Sequence, residues 1–87
     1  MDKREKEISQ GHEAERILRS PIYQEAFEMY RQSLLTAWTS SGVKDGDNRE
    51  RLWLAYQIAG KVQQHIERVM TTGRMAQKQV EDMYGSA

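Results

Sequence analysis

The residues of this chain that could do chemistry are two histidines and a few pairs of carboxylates. His12 and His65 are far apart in the sequence, and His12-Glu13 is not followed by the second histidine of an HExxH zinc motif. The carboxylate pairs are Glu25/Glu28, Asp45/Asp47 and Glu81/Asp82. General acid–base catalysis needs carboxyls perturbed by their surroundings, whereas these lie in a turn or beside polar neighbours. The sequence therefore predicts no catalytic residue.

The sequence also lacks the residue patterns that bind metals or cofactors. Asp45-Gly46-Asp47 resembles the start of a calcium loop, but no glutamate closes the ligand pattern at the required offset. The chain has no cysteine, which excludes disulfides and thiolate metal sites. A glycine-rich phosphate loop is missing as well. We therefore predict no metal, no cofactor and a protein that is not an enzyme.

The C-terminal half carries a long apolar repeat. Apolar or small residues recur at three-four spacing at Leu52, Ala55, Ala59, Val62, Ile66, Val69, Gly73, Ala76, Val80 and Met83. This spacing is typical of a coiled-coil seam. The phase passes through Gly73 without a slip, so we predict one continuous or slightly kinked helix over about 48–84. A seam of this length needs an equally long partner surface.

The N-terminal half supplies a candidate partner. Residues 1–11 are mostly polar and are predicted to form a tail, with a short helix starting at His12. Ser20-Pro21 has the residue types of an N-cap and first helical position, which predicts a bend and a new helix over 21–40. Residues 42–47 read as a turn, and Asp47 with Glu50 has the spacing of a capping box for the third helix.

Together these elements predict an all-α fold. Residues 12–87 would form one antiparallel helical hairpin with a long C-terminal helix and a bent N-terminal arm, preceded by the 1–11 tail and self-associating into a bundle. The helix–helix seam is predicted at Phe27, Tyr30, Leu34, Trp38, Leu52, Ala59, Val62 and Ile66.

A second apolar face is left over by this arrangement. It consists of Met29, Leu35, Trp53, Leu54, Tyr56 and Ile58. Two helices side by side bury only one stripe each, and large apolar residues outside that stripe indicate a further contact. We expect a homo-oligomer, with another protein as the other possible occupant of this face.

Charge favours protein contacts over nucleic acid. The chain carries thirteen basic and thirteen acidic residues, for a net charge of zero. Lys44, Arg49 and Arg51 lie near aromatic residues and are a possible nucleic-acid contact, but acidic residues are interleaved with them. No stretch is long and apolar enough to span a bilayer and no secretory signal is visible, so we expect a cytoplasmic protein without membrane contact.

Two stretches, SPIYQEAFEMYRQSLLTAW and DGDNRERLWLAYQIAGKVQQHIERVMTTGRMA, resemble a group of small helical proteins encoded in tailed-phage and prophage genomes. The shared pattern is an aromatic-rich first helix, an acidic turn with Arg-Glu, a long second helix and a Thr-Gly-Arg/Lys-x-Ala end, here Thr72 to Ala76. The resemblance implies no enzymatic activity. It implies instead a virion-assembly or host-takeover role in the host cytoplasm or the virion, such as an oligomeric accessory to head or packaging proteins.

The sequence thus predicts a non-enzymatic helical interaction or assembly module. Two alternatives stay open: a small nucleic-acid-binding oligomer and an inhibitor of a host protein.

Overall fold

The computed structural model describes residues 2–85, which form three α-helices and no strand. The helices are α1 (Lys3–Arg19), α2 (Pro21–Ser40) and α3 (Gly46–Gly85). The predicted all-α class is confirmed. Met1 of the predicted tail, and residues 86–87 at the end of the predicted domain, lie outside the described residues. None of the described helices is long and apolar enough to cross a membrane.

The helix start at His12 is wrong, because α1 already begins at Lys3. The Asp2 side chain caps this helix by accepting a hydrogen bond of 2.8 Å from the backbone N–H of Glu5. Glu5 in the first turn and Arg16 and Arg19 in the last turn complement the helix dipole. The charged composition that indicated a tail is instead that of a solvated helix.

The breaks between helices lie close to the predicted places. Ser20 has an extended backbone (φ −66°, ψ 122°), and α2 begins at Pro21 as expected for the residue pair. The capping box is wrong: α3 starts at Gly46, and the carbonyl of Asp45 accepts from the N–H of Arg49 at 3.0 Å. Asp47 therefore lies inside the first turn, where its charge still favours the helix N-terminus.

The predicted continuity of the last helix through Gly73 is confirmed, since α3 runs for 40 residues. Glycine inside a helix costs about 1 kcal/mol relative to alanine. A helix that keeps one at this position therefore needs a compensating contact.

The contacts divide the chain into two compact units. The terminal unit takes in the residues up to Ser20 and those from Gln64 onward, and the central unit is Pro21–Gln63.

In the terminal unit, α1 packs on the C-terminal part of α3 through two glycines. A Cβ built on Gly11 would lie 2.8 Å from the Cα of Gly73, and one built on Gly73 would lie 2.7 Å from the Cα of Gly11. Gly11 and Gly73 are buried, and one turn further along each helix are Ala14 and Ala76, exposed by only 5% and 2%. The absence of side chains lets the two backbones touch, which compensates for the poor helix propensity of glycine.

Polar contacts border this crossing. The Glu15 carboxylate lies 2.9 Å from the Arg19 guanidinium and 3.1 Å from that of Arg74, while Arg4 donates to the sulfur of Met83 at 3.0 Å. Exposed ion pairs stabilise by at most about 1 kcal/mol each. Close backbone packing is therefore the main contact of this unit.

In the central unit, α2 packs on the N-terminal part of α3 without any fully buried side chain. The half-buried apolar residues are Tyr23, Phe27, Leu34, Trp38, Leu52, Ala55, Tyr56 and Ala59. The burial predicted for Tyr30 and Val62 is wrong, because each is 54% exposed. Gln63, one residue further along α3, is half-buried instead of Val62.

Candidate interaction surface

The residues first considered for catalysis lie on the surface. Both histidines are exposed, and so is every member of the three carboxylate pairs. No group of three or more His, Asp or Glu residues that could hold a metal ion occurs within residues 2–85. The described structure thus gathers none of these side chains into a reactive site.

The cations proposed for nucleic-acid contact are not equivalent in the structure. Arg49 is half-buried, and its Nη1 lies 3.1 Å from the carbonyl oxygen of Trp38, 3.2 Å from that of Ser41 and 2.9 Å from the Ser41 hydroxyl. Its guanidinium also lies 4.3 Å from the centroid of the Trp38 ring. Arg49 therefore caps the C-terminal end of α2, a role that the sequence analysis did not give it.

The other two cations stay available to solvent. Lys44 and Arg51 are exposed, as are Asp45, Asp47 and Glu50 around them. Two cations among three carboxylates give this end of the unit no positive field of the kind that attracts phosphate.

Arg31 has a role that the sequence pattern did not reveal. This half-buried residue lies on α2, and its Nη2 donates to the hydroxyl of Tyr56 on α3 at 2.7 Å. Its guanidinium carbon lies 4.7 Å from the Tyr56 ring centroid and 5.7 Å from that of Phe27. Tyr56 is half-buried in this contact, so its assignment to the outer face was wrong. The available signal was the position of Arg31 midway between Phe27 and Leu34 at helical spacing.

Replacing Tyr56 with phenylalanine is expected to lower the free energy of unfolding by about 1–2 kcal/mol, because it removes the acceptor of a charged hydrogen bond and keeps the ring. Urea titration followed by circular dichroism measures this loss. Tyr84→Phe is a matched control, since Tyr84 is 78% exposed and its change should have no measurable effect. A Tyr56→Phe protein as stable as the wild type would show that the hydroxyl contact contributes nothing.

The remaining candidates are apolar side chains left in water. Most of the exposed large hydrophobics belong to the central unit: Ile22, Met29, Tyr30, Leu35, Val43, Trp53, Leu54, Ile58 and Val62. The outer-face residues Met29, Leu35, Trp53, Leu54 and Ile58 are thus exposed. Apolar residues that share one exposed face, unlike single scattered ones, are typical of an interaction surface.

Three of these residues form one line along α3. Leu54, Ile58 and Val62 follow each other at four-residue spacing, which puts them on one side of the helix. They are 51%, 60% and 54% exposed. We call this set the α3 stripe. The segment 52–60 of α3 contains no charged residue on any of its faces.

Comparison of the chain with protein-family models, with curated proteins and with solved structures finds no match.

Proposed function

We propose that this chain is a non-enzymatic helical interaction module, and that the exposed apolar residues of its central unit bind a helix of a partner. The α3 stripe is the centre of this contact. The observation that carries the proposal is the burial pattern: Ala14 and Ala76 are the only apolar residues that the described chain buries, while thirteen large hydrophobics are exposed.

The energetics favour a partner over solvent. Burying a Leu, Ile or Val side chain fully is worth about 1.5–3 kcal/mol. The α3 stripe alone offers three such residues, of which Leu54 and Ile58 lie in the uncharged segment 52–60 and Val62 follows Lys61. A second amphipathic helix laid along it would bury them in the helix-in-groove mode of recognition, with the charged end of the neighbouring Lys61 side chain left in water.

The two alternative functions have less support. Against nucleic-acid binding, Arg49 is hydrogen-bonded to the end of α2. Lys44 and Arg51 are exposed but lie among carboxylates. Inhibition of another protein uses the same kind of surface as an assembly module, so it differs in the partner and not in the chemistry. The resemblance to small helical phage proteins is the reason to place the module in virion assembly.

The proposal is tested by site-specific photocrosslinking in the native host cell. We expect benzoylphenylalanine at position 58 to give one discrete product whose partner mass spectrometry identifies. The same probe at Gln57, which is exposed but about 100° around the helix, should give far less. Absence of any product from position 58, or equal labelling from both positions, would overturn the proposal.

A further inference from the structure

We infer that the partner helix is the α3 of a second copy of this chain, packed antiparallel across the α3 stripe with Ile58 at the two-fold axis. This inference depends on the proposed function and adds the identity of the partner to it. It is carried by the surface area of the chain, the spacing of the stripe and the charges around it.

The chain exposes more surface than a compact monomer of its mass. The chain exposes 6994 Å². A folded monomeric protein of 10.2 kDa exposes about 5300 Å² by the usual scaling with mass. The difference, about 1700 Å² on that scaling, is larger than the roughly 800 Å² that each partner contributes to a standard interface. Each chain therefore exposes enough surface for a second copy to cover.

The spacing of the stripe is self-complementary. Leu54 and Val62 are each four residues from Ile58. When two α3 helices cross antiparallel at Ile58, each Ile58 meets its own copy and each Leu54 meets Val62 of the other chain. This is an isologous contact, in which one patch serves both partners and the assembly closes as a dimer.

Charge separates the antiparallel arrangement from the parallel one. Arg51 lies one turn before Leu54 on the same side of α3, and it is exposed. In a parallel in-register pair the two Arg51 side chains would face each other, and like charges placed together disfavour a complex. In the antiparallel pair they lie about 21 Å apart along the axes, at 1.5 Å per residue. In this register 52–60 lies opposite 56–64 of the other copy, which puts Lys61 opposite Ala55 and the two Lys61 side chains about 9 Å apart along the axes instead of face to face.

The first experiment measures the mass of the full chain by light scattering on a sizing column over a hundredfold range of concentration. We expect twice 10.2 kDa for the wild type. Ile58→Glu should halve the mass while circular dichroism shows an unchanged helix content, because the side chain is exposed in the single chain. Gln57→Glu is the matched control and should remain a dimer. A wild-type monomer at every concentration would overturn the inference.

The second experiment tests the register. The chain has no cysteine, so each introduced thiol is unique. With a short bis-maleimide we expect Ile58→Cys to crosslink to itself, and Leu54→Cys to crosslink to Val62→Cys in a mixture of the two variants. Leu54→Cys alone should remain uncrosslinked. Crosslinking of Leu54→Cys to itself would overturn the antiparallel arrangement.

The outcomes distinguish this inference from the proposed function. A monomeric chain that still gives a photoproduct with a different protein from position 58 contradicts self-association and leaves the interaction module standing. A monomeric chain without any photoproduct contradicts both.

Discussion

Replacing Gly73 with alanine is expected to destabilise the protein by about 1–3 kcal/mol, the usual effect of overpacking a tight contact. The direction is opposite to the intrinsic preference, since alanine is favoured over glycine in a helix interior by about 1 kcal/mol. The reason is the new Cβ, which would lie 2.7 Å from both the Cα of Gly11 and the carbonyl oxygen of Glu7. Both neighbours are backbone atoms, so the helices must move apart.

Gly60→Ala is a matched control for this change on the same helix. A Cβ at Gly60 meets nothing within 4 Å, so alanine there should stabilise the protein by about 1 kcal/mol. Urea titration of the two variants should therefore give shifts of opposite sign. If Gly73→Ala were stabilising like Gly60→Ala, the close approach of α1 and α3 would be wrong.

A double substitution isolates the contact itself. Gly11→Ala alone should destabilise for the same reason, because its Cβ would lie 2.8 Å from the Cα of Gly73. Once one alanine has separated the helices, the second has less contact left to disrupt. The two effects should therefore sum to more than the loss measured in the double variant.

Replacing Arg49 with alanine is expected to lower the free energy of unfolding by about 2–3 kcal/mol, from the loss of charged hydrogen bonds and a cation–π contact with tryptophan. Its Nη1 donates to the carbonyl oxygens of Trp38 and Ser41 at the C-terminal end of α2, where carbonyls no longer have the usual helical partner four residues on. The Trp38 carbonyl also accepts from the N–H of Ser41 at 3.2 Å. Thermal unfolding measures the loss. Hydrogen exchange should quicken most around residues 38–45.

Two further variants separate the causes of this effect. Arg49→Lys keeps the charge but not the planar fork that stacks on Trp38, so it should recover only part of the stability. Arg51→Ala removes an exposed arginine two residues away and should change stability by less than about 0.5 kcal/mol. Equal losses from Arg49→Ala and Arg51→Ala would mean that the loss comes from net charge and not from the cap.

The helices were predictable where the signals are local. Pro21 begins α2 whatever surrounds it, because the ring fixes its φ angle and its missing N–H costs nothing at a helix start. The seam phase through Gly73 likewise indicated one long α3, which the structure has. Both inferences need only the chain on either side of the residue.

The start of α1 was not predictable from such signals, because residues 1–11 were interpreted as a polar tail that ends at Gly11. Its true role depends on Gly73, which is far away in the sequence. A clue was present in the matching patterns GHEA at residues 11–14 and GRMA at 73–76, where glycine and alanine are three residues apart in both helices. Two small-residue pairs at equal spacing are typical of closely packed helices.

The candidate surface was predictable in part. Leu54 and Ile58 are outside the three-four seam in the sequence and are exposed in the structure. Val62 belongs to the seam by spacing, yet it is 54% exposed and lies in line with them. The role of Arg31 was not predicted, because a charged residue seldom lies in an apolar stripe. In the structure its planar guanidinium lies over the rings of Phe27 and Tyr56.

The sharing of α3 by two units has a consequence for the order of folding. The bonds of the central unit are local, since Arg49 reaches Trp38 across 11 residues and Arg31 reaches Tyr56 across 25. Those of the terminal unit join opposite ends of the chain, with separations of 59 for Arg74–Glu15 and 79 for Arg4–Met83. Closing the long loop between the chain ends costs more entropy than closing the short loop between α2 and α3. Once the short loop has formed, the remaining cost of closing the long one is lower. We therefore expect the contact of α2 with the N-terminal part of α3 to form first and α1 to dock last.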